Sequence, residues 1–396
     1  MPEREYLSLY LHIPFCRSRC NYCDFNTYAG MESYLQDYVE ALTKELRLAS
    51  TMAAEAFVVR SIYFGGGTPT IIPADAFEKI LSDVRKNYTL TDDVEITTEA
   101  NPVCLPADYL ARLKCCGINR LSMGMQSADE TELKLLGRRH TLEDVAQSME
   151  NARQAGIAQI NLDLMFGIPG QPLNAFQQSI EKALAFSPQH LSVYSLTVEE
   201  GTPLERMLRE GSLPAIDEDA SADMYDWVME TLPKRGFNQY EISNWAAGAD
   251  FRCRHNMQYW HYRPYLGFGA GAHSYFNHQR WANVATIPGY LKKMEKSEKW
   301  QKGKPPASSE IIRLAPIDEI QEFMMMGLRL VDDGINEDEF LERFGKSLTE
   351  VYGKEINLLV EQELLERVNS AGQQVIRLTQ RGRMLGNQVF MQFMQD

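Results

Sequence analysis

Short strands and helices alternate along the first two hundred residues, and this alternation constrains the fold more than any other feature. Runs rich in β-branched and aromatic residues predict six strands, at 7–13, 61–67, 94–101, 119–126, 159–169 and 190–196. Helical segments separate them, for example residues 31–49, whose leucines and valine share one face. Such alternation produces a mostly parallel sheet. Six units predict an α/β protein with a partial (βα)6, TIM-like barrel.

Polar and glycine-rich residues cluster where these predicted strands end. Cysteines follow the first strand, "GGGTPT" follows the second, and Glu99, Gln126 and Asp163 lie at or near the ends of the next three. In a barrel of parallel strands, the active site is built at the carboxyl-terminal rim. The sequence therefore predicts one site to which successive strands contribute.

The pattern changes after about residue 200 and divides the chain into three segments. Residues 1–200 form the predicted barrel, and residues 201–300 form an aromatic-rich, mixed extension that completes the barrel rim. Residues 305–396 predict helices followed by a hairpin, a small domain of winged-helix type. That shape often binds DNA, but this segment has nine Lys or Arg against sixteen Asp or Glu. Its charge argues against nucleic acid as a partner.

Composition excludes several classes of protein. The 396 residues have a formal net charge of −14, whereas nucleic acids and anionic membranes attract basic surfaces. No apolar run approaches the ~18 residues that span a bilayer, and the first residues lack the pattern of a signal peptide. Seven cysteines, an odd number, favour reduced thiols or metal ligands over disulfides. We therefore expect a cytoplasmic protein without a transmembrane segment.

Three of these cysteines, Cys16, Cys20 and Cys23, fall within eight residues. A structural zinc site needs four ligands, and His12 or Asp24 is the available fourth. The alternative is an iron–sulfur cluster. A four-iron cubane held by three thiolates leaves one iron without a protein ligand, and that iron can bind a substrate or cofactor. The residues alone leave both kinds of site open.

The cysteine spacing, with Tyr22 just before the last thiol, resembles the signature of the radical S-adenosylmethionine (SAM) family. The segments "YLHIPFC", "GGGTPT", "INRLSMGMQS" and "INLDLMFGIPGQP" further resemble the oxygen-independent coproporphyrinogen III oxidase group of that family. This resemblance covers nearly the whole chain. It implies a radical SAM barrel, a [4Fe–4S] cluster on Cys16, Cys20 and Cys23, and SAM chelated to the open iron. It also implies an electron donor such as flavodoxin or ferredoxin.

The same resemblance implies, by position, which residues contact SAM. Tyr22 is expected beside the adenine, and the three-glycine segment is expected to hold the methionine amino group. The implied SAM contacts are Tyr10, Tyr22, Gly66, Gly67, Thr68, Glu99, Gln126, Arg138 and Asp163. Taken alone, the glycines equally suit a tight turn, and a single buried Asp often serves only as a structural acceptor.

Three features bear on which branch of the group the chain resembles. Phe25 stands where the oxidases have a further cysteine, only fifteen residues precede Cys16, and "HNMQYW" at 255–260 matches a motif of the chaperone branch. The resemblance therefore implies a haem chaperone that transfers haem to an acceptor protein, which the sequence does not identify. The alternative is the oxidase reaction, a radical decarboxylation of propionates in porphyrin biosynthesis, because the radical machinery is complete in the sequence.

The "HNMQYW" segment is also where we expect haem to bind. Its aromatic side chains offer a flat apolar surface, and His255 is the predicted axial ligand because neutral imidazole commonly ligates haem iron. Cys253 is the rival ligand, because a thiolate also ligates haem iron. An isolated histidine in an aromatic segment is more often packed in the core.

Overall fold

The computed structural model of the protein describes residues 5–53, 57–103, 105–301, 304–370 and 372–394. The chain forms two compact units. The first unit contains Met1–Met224 and Pro264–Ile312, and the second contains Tyr225–Arg263 and Arg313–Asp396. Each unit is therefore built from two separate stretches of sequence. The three consecutive segments, with boundaries near residues 200 and 300, stay a prediction.

Strands and helices alternate through most of the described chain. The strands are β1 (Glu5–Ile13), β2 (Phe15–Cys16), β3 (Tyr28–Ala29), β4 (Phe57–Gly66), β5 (Leu90–Ala100), β6 (Arg120–Gln126), β7 (Gln159–Phe166), β8 (His190–Ser195), β9 (Asn238–Glu241), β10 (Asn244–Ala246), β11 (Tyr265–Phe268), β12 (His273–Phe276), β13 (Gln279–Asn283), β14 (Ser308–Arg313), β15 (Ile335–Asn336), β16 (Leu365–Ser370) and β17 (Gln373–Leu378).

The α-helices cover the sheet and form most of the second unit. They are α1 (Leu35–Ala53), α2 (Ala74–Asn87), α3 (Ala107–Cys116), α4 (Glu130–Leu135), α5 (Leu142–Gln154), α6 (Leu173–Ala185), α7 (Pro203–Arg209), α8 (Glu218–Lys234), α9 (Arg254–Trp260), α10 (Ile287–Lys296), α11 (Pro316–Gly327), α12 (Glu337–Phe344), α13 (Leu348–Glu361), α14 (Gln380–Met384) and α15 (Gly386–Met391).

The sheet of the first unit contains the six predicted barrel strands as neighbours. Its strand order is β14-β13-β12-β11-β1-β4-β5-β6-β7-β8. Strands β1, β4, β5, β6, β7 and β8 pair in parallel, so their carboxyl ends lie at one edge. The register aligns Tyr10 with Tyr63, and Tyr63 with Thr97. The predicted partial (βα)6 barrel is confirmed.

Burial explains why these strands have nearly continuous apolar sequences. All seven residues of β6 are buried, as expected for a parallel strand covered on both faces. Helix α2 buries Phe77, Ile80 and Val84 along one face. Helix α5 begins with a capping box, in which Thr141 and Asp144 exchange side-chain-to-backbone hydrogen bonds. Local signals therefore agree with the layered packing of the barrel.

The mixed extension returns to the barrel beside β1. Strand β11 pairs in parallel with β1, and β12 and β13 follow it in antiparallel order. Glu45 of α1 accepts hydrogen bonds from the Gly269 N–H at 2.9 Å, from Asn283 Nδ2 at 2.8 Å and from the Tyr290 hydroxyl at 2.7 Å. A buried carboxyl group needs such partners. This network therefore fixes the returning segment against α1.

The second unit is mostly helical. Strands β9 and β10 form an antiparallel pair. Helices α11, α12 and α13 are followed by the hairpin β16–β17, and β17 also pairs with β15. Helices followed by a hairpin agree with the winged-helix-like domain predicted from the sequence. Across the described residues of both units, no helix is long and apolar enough to cross a bilayer.

Candidate functional site

The three clustered cysteines lie on the loop that leaves the carboxyl end of β1. Cys16 is buried in β2, and Cys20 and Cys23 are half-buried in the loop that follows. Burial raises the pKa of Cys16 and of Cys23, and the neighbouring thiols raise it further. The three sulfurs are therefore close enough to affect one another's ionisation. A bound cation that compensates three thiolates resolves this mutual repulsion.

The donor set fits an iron–sulfur cluster better than a zinc ion. Within the described ranges, no three His, Cys, Asp or Glu side chains converge on a position for one metal ion. Zinc requires such convergence at ~2.0–2.3 Å, whereas a cubane spreads its thiolates over several irons. His12, a possible fourth zinc ligand, has both ring nitrogens engaged. Its Nδ1 lies 3.0 Å from the Tyr10 hydroxyl, and its Nε2 lies 2.9 Å from the Asn26 carbonyl oxygen.

Gly66, the last residue of β4, and Gly67, which follows it, pack closely against the cysteine loop. Gly66 has a φ of +114°, and a Cβ there would lie 2.5 Å from the His12 ring. A Cβ at Gly67 would lie 2.5 Å from a backbone carbonyl oxygen and 3.0 Å from Cys16 Sγ. The Thr68 hydroxyl is 3.8 Å from the same sulfur. Close packing therefore accounts for both glycines, and their contact with SAM stays a prediction.

Two carboxyl groups, Glu99 and Asp163, lie toward the ends of β5 and β7. Glu99 accepts hydrogen bonds from the Tyr63 hydroxyl at 2.9 Å and from the Gly66 N–H at 3.1 Å, and burial raises its pKa to about 7. Asp163 accepts a hydrogen bond from Asn161 Nδ2 at 2.7 Å, and burial raises its pKa as well. Carboxylate oxygens have more acceptor sites than these partners occupy. Both groups can therefore accept hydrogen bonds from a ligand.

Arg138 joins the cysteine loop to the ends of β5 and β6. Its Nη1 lies 3.6 Å from Cys20 Sγ, and its Nη2 donates to the Gly124 carbonyl oxygen at 2.6 Å and to Asn101 Oδ1 at 3.3 Å. Burial by itself lowers the pKa of Arg138, but the ionisable groups of Tyr22, Cys20 and Asp163 raise it above its ordinary value. Its Nε is buried without a hydrogen-bond partner in the described part of the chain. The guanidinium can therefore bind a further acceptor, such as a ligand carboxylate.

Gln126 ends β6 in an unusual backbone conformation. Its φ is +63°, and the register between β6 and β7 shifts between Gly124 and Gln126. This register shift is that of a β-bulge, in which one strand has an extra residue and its side chains leave the regular alternation. A Cβ at Gly124 would lie 2.7 Å from Gln126 Nε2 and 2.8 Å from Arg138 Nη2. The missing side chain at Gly124 therefore makes room for two of the predicted SAM contacts.

Tyr10 and Tyr22 contribute aromatic rings to the same region. Tyr10 stacks on Tyr63, with ring centroids 6.2 Å apart and an interplanar angle of 24°. Tyr22 packs against an apolar cluster that includes Leu136 and Ile168. Burial raises the pKa of both tyrosines, so each remains a neutral phenol at pH 7. All of the residues predicted for the cluster and for SAM thus lie in the first unit, around the carboxyl ends of its strands.

The predicted haem ligand lies in the second unit. His255 is in the first turn of α9 and is only 2% exposed. Its Nε2 is 2.9 Å from the Tyr259 hydroxyl, and the two rings meet edge to face with centroids 5.0 Å apart. Cys253 is also buried, and its N–H donates to the Tyr240 hydroxyl at 3.3 Å. Iron ligation by His255 stays a prediction, and ligation through Nε2 requires that atom to be released from the Tyr259 hydroxyl.

Sequence reasoning did not assign several polar partners of the site residues. Tyr63 donates to Glu99, Asn161 donates to Asp163, and Asn101 accepts from Arg138. Asn101 lies directly after β5, so its position at a strand end was a usable signal. Tyr63 and Asn161 lie inside strands, where only the register between neighbouring strands reveals which side chains meet.

Two known families match separate stretches of the chain. Residues 10–183 match the family described as the radical SAM superfamily. Residues 314–385 match the family described as the HemN C-terminal domain. The first match contains the three cysteines predicted to hold the cluster and every residue predicted to contact SAM, whereas His255 and Cys253 lie outside both matches.

Relatives that match end to end decide the family. The protein "Heme chaperone HemW" of Bacillus subtilis is 37% identical over 390 residues, which cover 98% of this chain and 99% of the relative. The chain belongs to the HemW family of radical SAM proteins. Another relative, "Radical S-adenosyl methionine domain-containing protein 1, mitochondrial" of Mus musculus, is 36% identical and covers 90% of this chain and 81% of its own length.

A solved structure has the same fold as this chain. Coproporphyrinogen III oxidase (HemN) from Escherichia coli aligns with a TM-score of 0.83 at 22% identity, covering 98% of this chain and 90% of that one. At that identity the likeness concerns the fold alone. As a radical SAM protein, the chain uses a [4Fe–4S] cluster and SAM as cofactors. The thiols and rim residues described above are the groups available to hold them.

Proposed function

We propose that this protein is a haem chaperone, which binds haem and transfers it to an acceptor protein. The end-to-end similarity to the Bacillus subtilis protein named "Heme chaperone HemW" carries the proposal, because it covers 98% of this chain and 99% of that relative. A second haem-chaperone relative, from Lactococcus lactis, is 34% identical over 98% of this chain. Phe25 also favours this function, because it stands where the oxidases are expected to have a further cysteine. Its side chain is 64% exposed.

The proposal assigns the cluster to Cys16, Cys20 and Cys23. When bound, the cluster supplies one-electron chemistry at an iron that has no protein ligand. The chain's own residues position and shield this group. Arg138 lies beside the Cys20 sulfur and offsets thiolate charge, and the Thr68 hydroxyl faces the Cys16 sulfur. Anaerobic iron and sulfide analysis should give about four of each per chain, and a stoichiometric zinc ion instead would contradict this assignment.

The proposed SAM site uses the residues around the strand ends. Glu99 and Asp163 supply acceptors, Arg138 supplies a buried donor, and Tyr22 supplies an apolar ring face. Together with Tyr10, Gly66, Gly67, Thr68 and Gln126, these are the groups that we propose contact SAM. The support is their common position at one edge of the sheet and the acceptor and donor capacity that their protein partners leave free.

The proposed haem site is tested most directly through its iron ligand. Haem should be titrated into the wild type and into variants His255→Gln and Cys253→Ala, while the Soret band is followed. Glutamine can keep a hydrogen bond to Tyr259, so His255→Gln separates ligation from packing. His278→Ala is the matched control, because His278 lies on an exposed turn. We expect a shifted Soret band and weaker binding in His255→Gln only.

Two results would contradict the assignment of His255 as the haem ligand. A Soret change confined to Cys253→Ala would move the ligand to the thiolate. Equal spectra and equal affinities in all four proteins would remove haem from this segment, and His255 would then be a core residue that orients Tyr259. Thermal unfolding of each variant distinguishes lost ligation from a lost fold.

We further propose that flavodoxin or ferredoxin donates electrons to the cluster, and that the protein acts in the cytoplasm. Reduced thiols support the second point, because Cys16, Cys20, Cys23, Cys115, Cys116 and Cys253 are all free and free thiols persist in reducing compartments. Cluster reduction by purified flavodoxin, followed by electron paramagnetic resonance, tests the donor. Fractionation of cells that produce the tagged protein tests the location.

A further inference from the structure

A polar cavity lies within the second unit, and none of its lining residues is one assigned to the cluster, SAM or haem. Its volume is about 340 Å³, and its walls come from α8, β9, β10 and the segments around residues 248–252, 332 and 383. Small-molecule sites begin at about 300 Å³. The cavity can therefore hold a small metabolite or one polar arm of a larger molecule. Two of its lining residues, Arg252 and Arg383, are cationic.

Arg383 forms no ion pair within 4.0 Å among the described residues, although Asp332 lines the same cavity. Its Nη1 donates to Gln239 Oε1 at 3.0 Å, which is a neutral acceptor. Its Nε is buried and has no hydrogen-bond partner among the described residues. Burial lowers the pKa of Arg383, and the nearby Tyr225, Asp332 and Glu366 offset this shift only in part. Burying a cation that lacks a paired anion is unfavourable, so this arrangement points to an anion supplied from outside the chain.

The orientation of Arg383 is set by its hydrogen bond to Gln239. Gln239 Nε2 donates to the Tyr225 hydroxyl and to the Ile242 carbonyl oxygen, each at 2.9 Å. These two bonds fix the amide so that its oxygen faces Arg383. The guanidinium is therefore held at one edge, and its remaining N–H groups are available to a ligand. A fixed fork of this kind suits two parallel hydrogen bonds to an oxyanion.

The acidic residue of the cavity is already paired with the other arginine. Asp332 Oδ2 lies 2.8 Å from Arg252 Nη2, and Arg252 Nη1 lies 3.6 Å from Asp333. Arg252 also stacks over the Tyr240 ring at 5.6 Å from its centroid. Both carboxylates therefore lie on the Arg252 side of the cavity, and neither forms an ion pair with Arg383 within 4.0 Å.

We propose that this cavity is an oxyanion-binding site, which takes the carboxylate or phosphate group of a small molecule between Arg383 and Arg252. Arg383 supplies the buried fork, and Arg252 supplies a second charge from the cavity wall. The site does not depend on the proposed haem function, because neither arginine is a proposed iron ligand, although Arg252 directly precedes Cys253.

Calorimetry on the full-length, cluster-loaded protein tests the site with two probes, inorganic phosphate and citrate, at low ionic strength. The variants are Arg383→Gln and Arg252→Gln. Arg381→Gln is the matched control, because Arg381 is exposed on the same helix and does not line the cavity. We expect saturable binding of at least one probe by the wild type. Its affinity should fall tenfold or more in both cavity variants and change less than twofold in Arg381→Gln.

Thermal unfolding separates a ligand site from a structural cation. In a buffer free of phosphate and carboxylates, Arg383→Gln should melt at or above the wild-type temperature, because it removes a half-buried charge that has no close ion pair. Added probe should raise the melting temperature of the wild type but not of Arg383→Gln. The proposal is overturned if neither probe binds the wild type saturably, or if all four proteins bind with equal affinity. Unchanged haem titrations in these variants would leave the haem proposal unaffected.

Discussion

Glu99 and Asp163 are the residues whose individual chemistry is most open to test. Each accepts hydrogen bonds from neutral protein donors, and burial raises the pKa of each. We predict that Glu99→Gln and Asp163→Asn each weaken SAM binding about tenfold, or ~1.4 kcal/mol, because a charged acceptor is lost. Equilibrium dialysis with labelled SAM under anaerobic conditions measures this.

The control for Glu99 lies on its own strand. Asp92 is exposed near the opposite end of β5, so Asp92→Asn should leave SAM affinity unchanged. Since the pKa of Glu99 is raised to about 7, the carboxylate form predominates only above that pH. Wild-type affinity should therefore fall as the pH is lowered through 7, and Glu99→Gln should lack that dependence. Equal affinities in wild type, Glu99→Gln and Asp163→Asn would mean that SAM binds elsewhere.

At this scale the sequence predicts the types of residue at the site but not their partners. Glu99, Gln126 and Asp163 could be found because each lies near the end of a predicted strand. The bond from Tyr63 to Glu99 could not, since it depends on the register of two strands whose contacting residues are 36 positions apart. Register is set by packing of the whole sheet rather than by any local signal.

Among the elements, the turn after β4 couples the glycine segment to the cysteine loop. We predict that Gly67→Ala lowers the iron and sulfide content severalfold, because its Cβ would lie 2.5 Å from a backbone oxygen and 3.0 Å from Cys16 Sγ. Gly353→Ala is the control. Its Cβ meets only a Thr349 side chain, at 3.2 Å, within helix α13. Full cluster content in Gly67→Ala would show that the loop can move away without losing its geometry.

The contact between α1 and the returning segment should make stability depend on pH. Burial raises the pKa of Glu45 to about 7, so between its ordinary value and 7 the folded state holds a proton that the unfolded state has released. The contribution of Glu45 to stability therefore falls as the pH rises through that window, by roughly 3 kcal/mol over the whole window, and is constant above it.

Glu45→Gln should remove this dependence. Urea unfolding between pH 5.5 and 8 gives the free energy of unfolding of the wild type and of the variant. As the pH rises towards 7, the wild type should lose stability relative to Glu45→Gln. Glu40→Gln, a change at an exposed position of the same helix, should follow the wild type at every pH. Parallel curves for wild type and Glu45→Gln would contradict the raised pKa.

The elements themselves were largely predictable, and their assembly was not. The alternation of strands and helices predicted all six parallel strands, because buried parallel strands have continuous apolar sequences. The exit of residues 225–263 to the second unit and the return of 264–312 had no local signature. Only long-range contacts, such as those of Glu45 with Gly269 and Tyr290, determine that path.

At the scale of the whole molecule, the radical SAM unit and the second unit carry different predicted ligands. The cluster and SAM residues all lie in the first unit, whereas His255 and the oxyanion cavity lie in the second. A protein that only decarboxylates a porphyrinogen has no need of an iron ligand, since that substrate lacks iron. A haem chaperone needs one, and it does not need catalytic turnover of a tetrapyrrole.

The most direct test of the haem-chaperone function compares the two tetrapyrroles on one preparation. Anaerobic, cluster-loaded protein with SAM and a reductant should be incubated with coproporphyrinogen III, and products should be measured by mass spectrometry. A parallel sample should be titrated with haem. The account predicts stoichiometric haem binding and unchanged coproporphyrinogen III. Repeated turnover with loss of two propionate carboxyl groups per coproporphyrinogen III, without haem binding, would contradict it.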